Sequence, residues 1–117
     1  MVALGEDIAV VFSENDALVN RILKTSQKVG EKFWRLPLEK AYMRLLKSDV
    51  ADLKNVGGKY GGAITAALFL AEFAPEKSAW GHLDIAGPSF ISHDWPTCVK
   101  GGTGFGVRTF IELAASY

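Results

Sequence analysis

The sequence predicts an α/β fold, and three observations carry that prediction. Ile8 to Phe12 (Ile-Ala-Val-Val-Phe) is an unbroken β-branched and apolar run, the pattern of a strand covered on both faces. Helically spaced apolar stripes then alternate with short extended segments along the chain. Finally, a glycine-rich loop with Gly57, Gly58, Gly61 and Gly62 feeds the stretch Ala63 to Leu70, where Thr65 is the sole polar residue. A helix that apolar has no natural solvent face and belongs in the middle of a fold.

Taken in order, the first strand spans residues 8–12, and burial on both faces implies a parallel sheet. Ser13 and Asp16 make a capping-box-like start, and Leu18, Ile22 and Val29 mark one face of a helix over 15–30 that stops at Gly30. Phe33, Trp34 and Leu36 form an apolar knot before Pro37, a residue suited to a first helical turn. Leu38, Tyr42, Leu45 and Leu46 stripe a second helix over 38–46. Ser48 to Asn55 is mixed, and Val50 and Leu53 fit a strand or an extended loop equally. The apolar helix covers 61–73 and ends before Pro75. Trp80 to Ala86 alternates as a strand over 80–86, with Trp80, His82, Asp84 and Ala86 on one face. Ser89 to Gly106 is too long for an ordinary connection, which makes it a binding-loop candidate. A last helix over 106–115 turns Val107, Phe110, Ile111 and Ala114 inward, with Arg108 and Glu112 as an i,i+4 pair outside.

Composition narrows the function classes. The 117 residues suit one domain, and 49% hydrophobic with 22% charged residues excludes a disordered chain. Thirteen basic residues balance thirteen acidic ones without a basic block, so no nucleic acid or anionic membrane is expected as a partner. No apolar run is long enough for a membrane span, and the first residues lack the features of a signal peptide. The single cysteine, Cys98, fits a reducing compartment and reads as a bystander thiol.

The residues alone name no reaction. His82 and Asp84 lie two apart on a strand face, about 7 Å between Cα atoms, and with His93 they could be imagined as metal ligands. The plainer reading is a pair of hydrogen-bonded polar residues at a sheet edge, because an unpaired buried carboxylate is costly. Gly57-Gly58-Lys59-Tyr60 lacks the phosphate-loop spacing and the Ser or Thr after the lysine. Gly102-x-Gly104-x-Gly106 misses the dinucleotide fingerprint by one residue and follows a loop instead of a strand.

Four longer blocks carry a resemblance. Lys47-Ser-Asp-Val-Ala-Asp-Leu-Lys-Asn-Val-Gly-Gly-Lys, Gly62-Ala-Ile-Thr-Ala-Ala-Leu-Phe-Leu, Trp80-Gly-His-Leu-Asp-Ile-Ala-Gly and Gly102-Thr-Gly-Phe-Gly-Val-Arg resemble the C-terminal part of the catalytic domain of the leucyl (cytosol) aminopeptidases, a metallopeptidase family. Val2-Ala-Leu-Gly, Phe33-Trp-Arg-Leu-Pro-Leu and the spacing between blocks agree with it, so the resemblance covers nearly the whole chain. It implies a three-layer αβα domain with a central mixed sheet, zinc-exopeptidase-like, of which residues 1–117 are a part. It also implies an intact enzyme that is a cytoplasmic homohexamer, or an organellar one if a transit peptide precedes it. That enzyme would use two divalent metal ions, zinc or manganese, to release N-terminal residues from peptide substrates.

The family's Asn-Thr-Asp-Ala-Glu-Gly-Arg motif, which provides metal-binding carboxylates and a bicarbonate-holding arginine, is not in this sequence. The resemblance therefore assigns no catalytic residue and no metal ligand to the chain, and implies that it is inactive by itself. It is read as a fragment of a longer enzyme, with a non-catalytic truncated paralogue that partners full-length subunits as the alternative. Carried over by motif position, Ala86 lines the pocket for the substrate's first side chain, with Val56 and Ser89 at neighbouring positions. A methyl group at Ala86 leaves room for a leucyl side chain, although smallness there would also permit a tight Gly87-Pro88 turn.

Overall fold

A computed structural model of the chain describes residues 1–117 except Thr97. The chain builds a three-stranded mixed sheet from β1 (Ala9–Phe12), β2 (Phe33–Arg35) and β3 (His82–Asp84) in the order β2-β1-β3. β1 runs parallel to β2, with Val10 opposite Trp34, and antiparallel to β3, with Val11 opposite Leu83. The parallel sheet expected from β1 is therefore half realised. All four β1 residues are buried, because one strand face meets one set of helices and the other face another.

That division follows the period-two alternation of the strand. Val10 and Phe12 form a core cluster with Ala67 of helix α2 (Gly62–Ala71), joined by Leu36, Leu38, Ala63 and Ile64. Val11 points the other way, into Val19 and Ile22 of helix α1 (Asp16–Val29), with Leu83 and with Leu113 of helix α3 (Val107–Ala115). The apolar helix thus packs on the sheet, as its composition demands. It does have a solvent side: Leu70 is 43% exposed and Phe73, just beyond the helix, 71%. The Phe73 ring packs only against Phe69 among the aromatic side chains described, with centroids 5.2 Å apart.

Several elements differ from the sequence reading for local reasons. Asn15, not Ser13, caps α1: its Oδ1 accepts the Leu18 N–H at 2.9 Å, while the Ser13 hydroxyl is drawn away to donate to the Trp80 carbonyl at 2.6 Å. The knot at Phe33 is a strand, β2, held beside β1 by pairing that no local pattern announces. Residues 40–46 wind as a 3-10 helix (Lys40–Leu46) instead of an α-helix over 38–46, starting where the Glu39 carboxylate accepts the Ala41 N–H. Ser48 to Asn55 adopts bends without a strand. The expected strand over 80–86 is cut to three residues, because Asp84 Oδ1 accepts the Ala86 N–H at 3.1 Å and turns the chain. The long loop contains a two-residue ribbon, β4 (Phe90–Ile91) paired antiparallel with β5 (Gly101–Gly102).

The largest difference lies in α3. Val107, Phe110 and Ile111, expected inside, are 55%, 54% and 65% exposed, and Ala114 is exposed too, whereas Thr109 is fully buried and Leu113 packs toward α1. The Arg108–Glu112 pair is replaced by partners from elsewhere. Glu112 binds Lys28 of α1 at 2.7 Å, and Arg108 lies 3.5 Å from Glu31.

Candidate functional site

The site follows from the end of β3 and the turn after it. Asp84 closes the strand by accepting the Ala86 N–H, and the Ile85 carbonyl accepts the Ser89 N–H at 3.0 Å, so residues 85–89 form one tight turn. Gly87 is required there by proximity. A Cβ at this position would stand 2.6 Å from the Gly5 carbonyl oxygen, closer than carbon side chains come to backbone. The need for a tight turn therefore falls on Gly87, while Ala86 remains exposed on the outside of the bend.

Ser89 is half-buried, and its carbonyl accepts the Thr103 N–H at 3.0 Å; the Thr103 hydroxyl donates to the Pro88 carbonyl at 2.6 Å. The turn carrying Ala86 and Ser89 is thus tied to the glycine-rich stretch 101–106. Val56 comes from a separate segment, the loop before α2, and is 67% exposed. Its neighbour Gly57 sits so tightly on Thr65 of α2 that a Cβ would meet the Thr65 methyl at 2.8 Å, which fixes the level of the loop against the helix. Ala86 and Ser89 therefore share one turn, and Val56 stands on a loop of its own.

Upstream on β3, His82 stacks between Phe12 and Trp80, with ring centroids 6.0 and 6.4 Å away and interplanar angles of 22° and 12°. Burial pushes its pKa below the ordinary histidine value, opposed by the charge of Asp84. Hydrogen bonding describes Asp84, as expected, while aromatic stacking holds His82. His93 lies in the β4–β5 loop against Trp95, with Nδ1 3.4 Å from the Ser92 hydroxyl. Among the described residues, no three His, Cys, Asp or Glu side chains group in a way that could hold a metal ion. A metal centre built from His82, Asp84 and His93 does not form.

A second feature was not foreseen in the sequence. Glu31, only 3% exposed, places its carboxylate at the start of α3, where Oε1 accepts the Gly106 N–H and Oε2 the Thr109 N–H, both at 3.0 Å, together with the Thr109 hydroxyl. Burial would raise its pKa. The Thr109 hydroxyl and N–H, the Gly106 N–H and the Arg108 charge outweigh burial and hold the carboxyl below its usual range. A lone glutamate after a helix-ending glycine gives no sequence signal for this, because its partners lie more than seventy positions away. An open concavity of about 690 Å³ adjoins it, lined by Glu6, Lys32, Pro88, Trp95, Phe105 and Arg108 among others. Ala86, Val56 and Ser89 are not among its lining residues.

Comparison with known proteins agrees with this architecture. Residues 1–111 match the model of the cytosol aminopeptidase family, catalytic domain. The chain is 52% identical over 114 residues to a probable cytosol aminopeptidase of Oleidesulfovibrio alaskensis, covering 97% of this chain and 22% of that protein. Similarity to the probable cytosol aminopeptidase of Clostridium perfringens is 49% over 114 residues, covering 97% and 23%. Among solved structures, the bottromycin maturation enzyme BotP in complex with Mn superposes with a TM-score of 0.93 at 41% identity, over 99% of this chain and 26% of that one. A mutant tomato leucine aminopeptidase superposes with a TM-score of 0.92 at 44% identity, over 100% and 22%. The chain thus spans under a quarter of the length of these curated relatives. By its sequence blocks, its mixed sheet with flanking helices and these similarities, the chain belongs to the cytosol aminopeptidase family.

Proposed function

We propose that this chain is the C-terminal part of the catalytic domain of a leucyl-type metallo-aminopeptidase, and that it builds the wall receiving the substrate's first side chain. The intact enzyme would carry the three-layer αβα domain, release N-terminal residues from peptides in the cytoplasm, and work as a homohexamer with two divalent metal ions. The manganese in the BotP complex supports that metal class for the family. Among the described residues no group of side chains could hold a metal ion, and the contribution assigned to this chain is to bind and orient substrate.

The observation that carries the reading is the turn at the C-terminal end of β3. This turn lies beside the start of the antiparallel strand β1, and there Ala86 projects only a methyl group while Gly87 absorbs the close contact with Gly5. A small exposed residue on a turn held by Asp84, Thr103 and Ser89 gives a rigid surface with room for a branched aliphatic group. Ser89 is polar where the wall would favour an apolar residue, so leucine preference rests chiefly on Ala86, with Val56 as an apolar neighbour.

The test is Ala86→Phe in a full-length cytosol aminopeptidase carrying residues 1–117 in place of its equivalent segment, assayed on leucyl and alanyl p-nitroanilides with metal content verified. Leucyl turnover should fall at least ~10-fold more than alanyl turnover, the scale at which an apolar pocket discriminates by size. An equal loss on both substrates would assign Ala86 to the fold and move the pocket elsewhere.

A further inference from the structure

We infer that Glu31 is a positioning residue for the substrate wall, acting at a distance through the glycine-rich stretch between β5 and α3. The inference rests on the proposed role of the Ala86–Ser89 turn.

Two anchors and a short, braced tether make the case. At one end, Thr103 grips the turn by donating its N–H to the Ser89 carbonyl and its hydroxyl to the Pro88 carbonyl. At the other, the Glu31 carboxylate takes the N–H groups of Gly106 and Thr109. Gly106 caps α3 with no side chain to offer and a left-handed φ of 93°, so the orphan donors of the first turn depend on a partner from outside the helix. Glu31 is that partner.

Only Gly104 and Phe105 separate the two anchors, and Gly104 also has positive φ, at 67°. The segment is braced along its length, because the Phe105 N–H donates to the Thr103 hydroxyl at 3.1 Å, the Val107 N–H donates to the Gly104 carbonyl at 3.1 Å, and the Phe105 ring lies 5.2 Å from that of Phe33, so a shift at one end is carried to the other. Glu31 is well placed to be the fixed end. It follows the αL residue Gly30, its own N–H is bonded to the Ser26 carbonyl of α1, and its side chain is 2% exposed. Losing the bonds to this carboxylate loosens the start of α3, and the braced segment passes that shift to Thr103 and so to the Pro88 and Ser89 carbonyls that shape the wall.

The experiment uses the same full-length chimera with Glu31→Gln, Thr103→Val and the double variant, each measured for kcat and KM on leucyl and alanyl p-nitroanilides and for Tm. Glu31→Gln keeps the volume but sets an amide NH2 against an N–H donor. Leucyl kcat/KM should fall at least about fivefold more than alanyl, mainly through KM, which is the scale of one misplaced hydrogen bond. Thr103→Val removes the hydroxyl bonds to the Pro88 carbonyl and the Phe105 N–H, leaves the N–H bond to the Ser89 carbonyl and the buried carboxylate in place, and should give the same substrate-selective loss. The double variant should be little worse than either single one, because both cut one connection. Thr103→Ser should restore the wild-type substrate ratio.

Equal losses on both substrates, or additive losses in the double variant, would reduce Glu31 to a helix cap and overturn the inference. If Glu31→Gln does not fold, Thr103→Val alone decides: an unchanged leucyl-to-alanyl ratio overturns the inference. Failure of the wall reading is a separate result, seen as an unselective Ala86→Phe.

Discussion

At the scale of single residues, close contacts and titration make the sharpest predictions. Gly87→Ala would drive a Cβ to within 2.6 Å of the Gly5 carbonyl oxygen, a backbone atom that cannot rotate away. The expected cost is about 1–3 kcal/mol, the range for overpacking, measured as the shift in urea midpoint at constant m-value. His82 gives a pH dependence. Its folded pKa lies below the ordinary histidine value because burial disfavours the imidazolium, with Asp84 opposing. The folded state therefore binds fewer protons than the unfolded one between the two values. That contribution to stability is complete above the unfolded pKa and is lost as pH falls below it. Melting temperatures of the wild type should drop in that window, and His82→Phe, which keeps the aromatic stack with Phe12 and Trp80, should remove that part of the drop. A parallel drop in both proteins would mean that His82 does not titrate differently on folding.

At the scale of elements, what was legible in the sequence is what depends on local pattern. The apolar run of β1, the α1 stripe ending at Gly30 and the alternation at His82 to Asp84 each encode their own geometry, and each is found. β2 and the inverted face of α3 depend on partners distant in sequence. Phe33 and Trp34 become a strand because β1 lies alongside. α3 turns Thr109 inward because Glu31 waits there, and its apolar stripe is left facing out. Hydrophobic periodicity assigns such a stripe to the interior by default, and the exception came from a polar partner that periodicity cannot register. Double-mutant cycles check the reassigned ion pairs. Lys28 and Glu112 should couple by about 0.2–1 kcal/mol, the range for exposed pairs, and Arg108 and Glu112 by nothing measurable. Measurable coupling in the second pair would restore the arrangement expected from sequence. The proposed site stands on different ground. Ala86, Val56 and Ser89 came from motif position, not from physical pattern, and Glu31 left no trace at all because a carboxylate seventy-five positions from Gly106 is an ordinary charged residue until the chain folds.

At the scale of the whole molecule, apolar surface and missing chemistry point the same way. Val107, Phe110 and Ile111 on α3, and Val56, Leu70 and Phe73 around α2, are all more than 40% exposed, and exposed apolar patches of this kind promote association. The isolated chain should accordingly bind ANS and sediment as concentration-dependent oligomers, and a clean monomer at high concentration with no dye binding would contradict this. We propose that this part of the family's catalytic domain shapes substrate binding while the metal-dependent chemistry needs residues beyond it. The most direct measurement is leucine p-nitroanilide hydrolysis by the purified 117-residue chain with added manganese or zinc, beside a full-length chimera carrying the same residues. The account predicts turnover from the chimera and none above a mock preparation from the chain alone, since no group of metal ligands is found among its described residues. Metal-dependent turnover by the chain alone would contradict it.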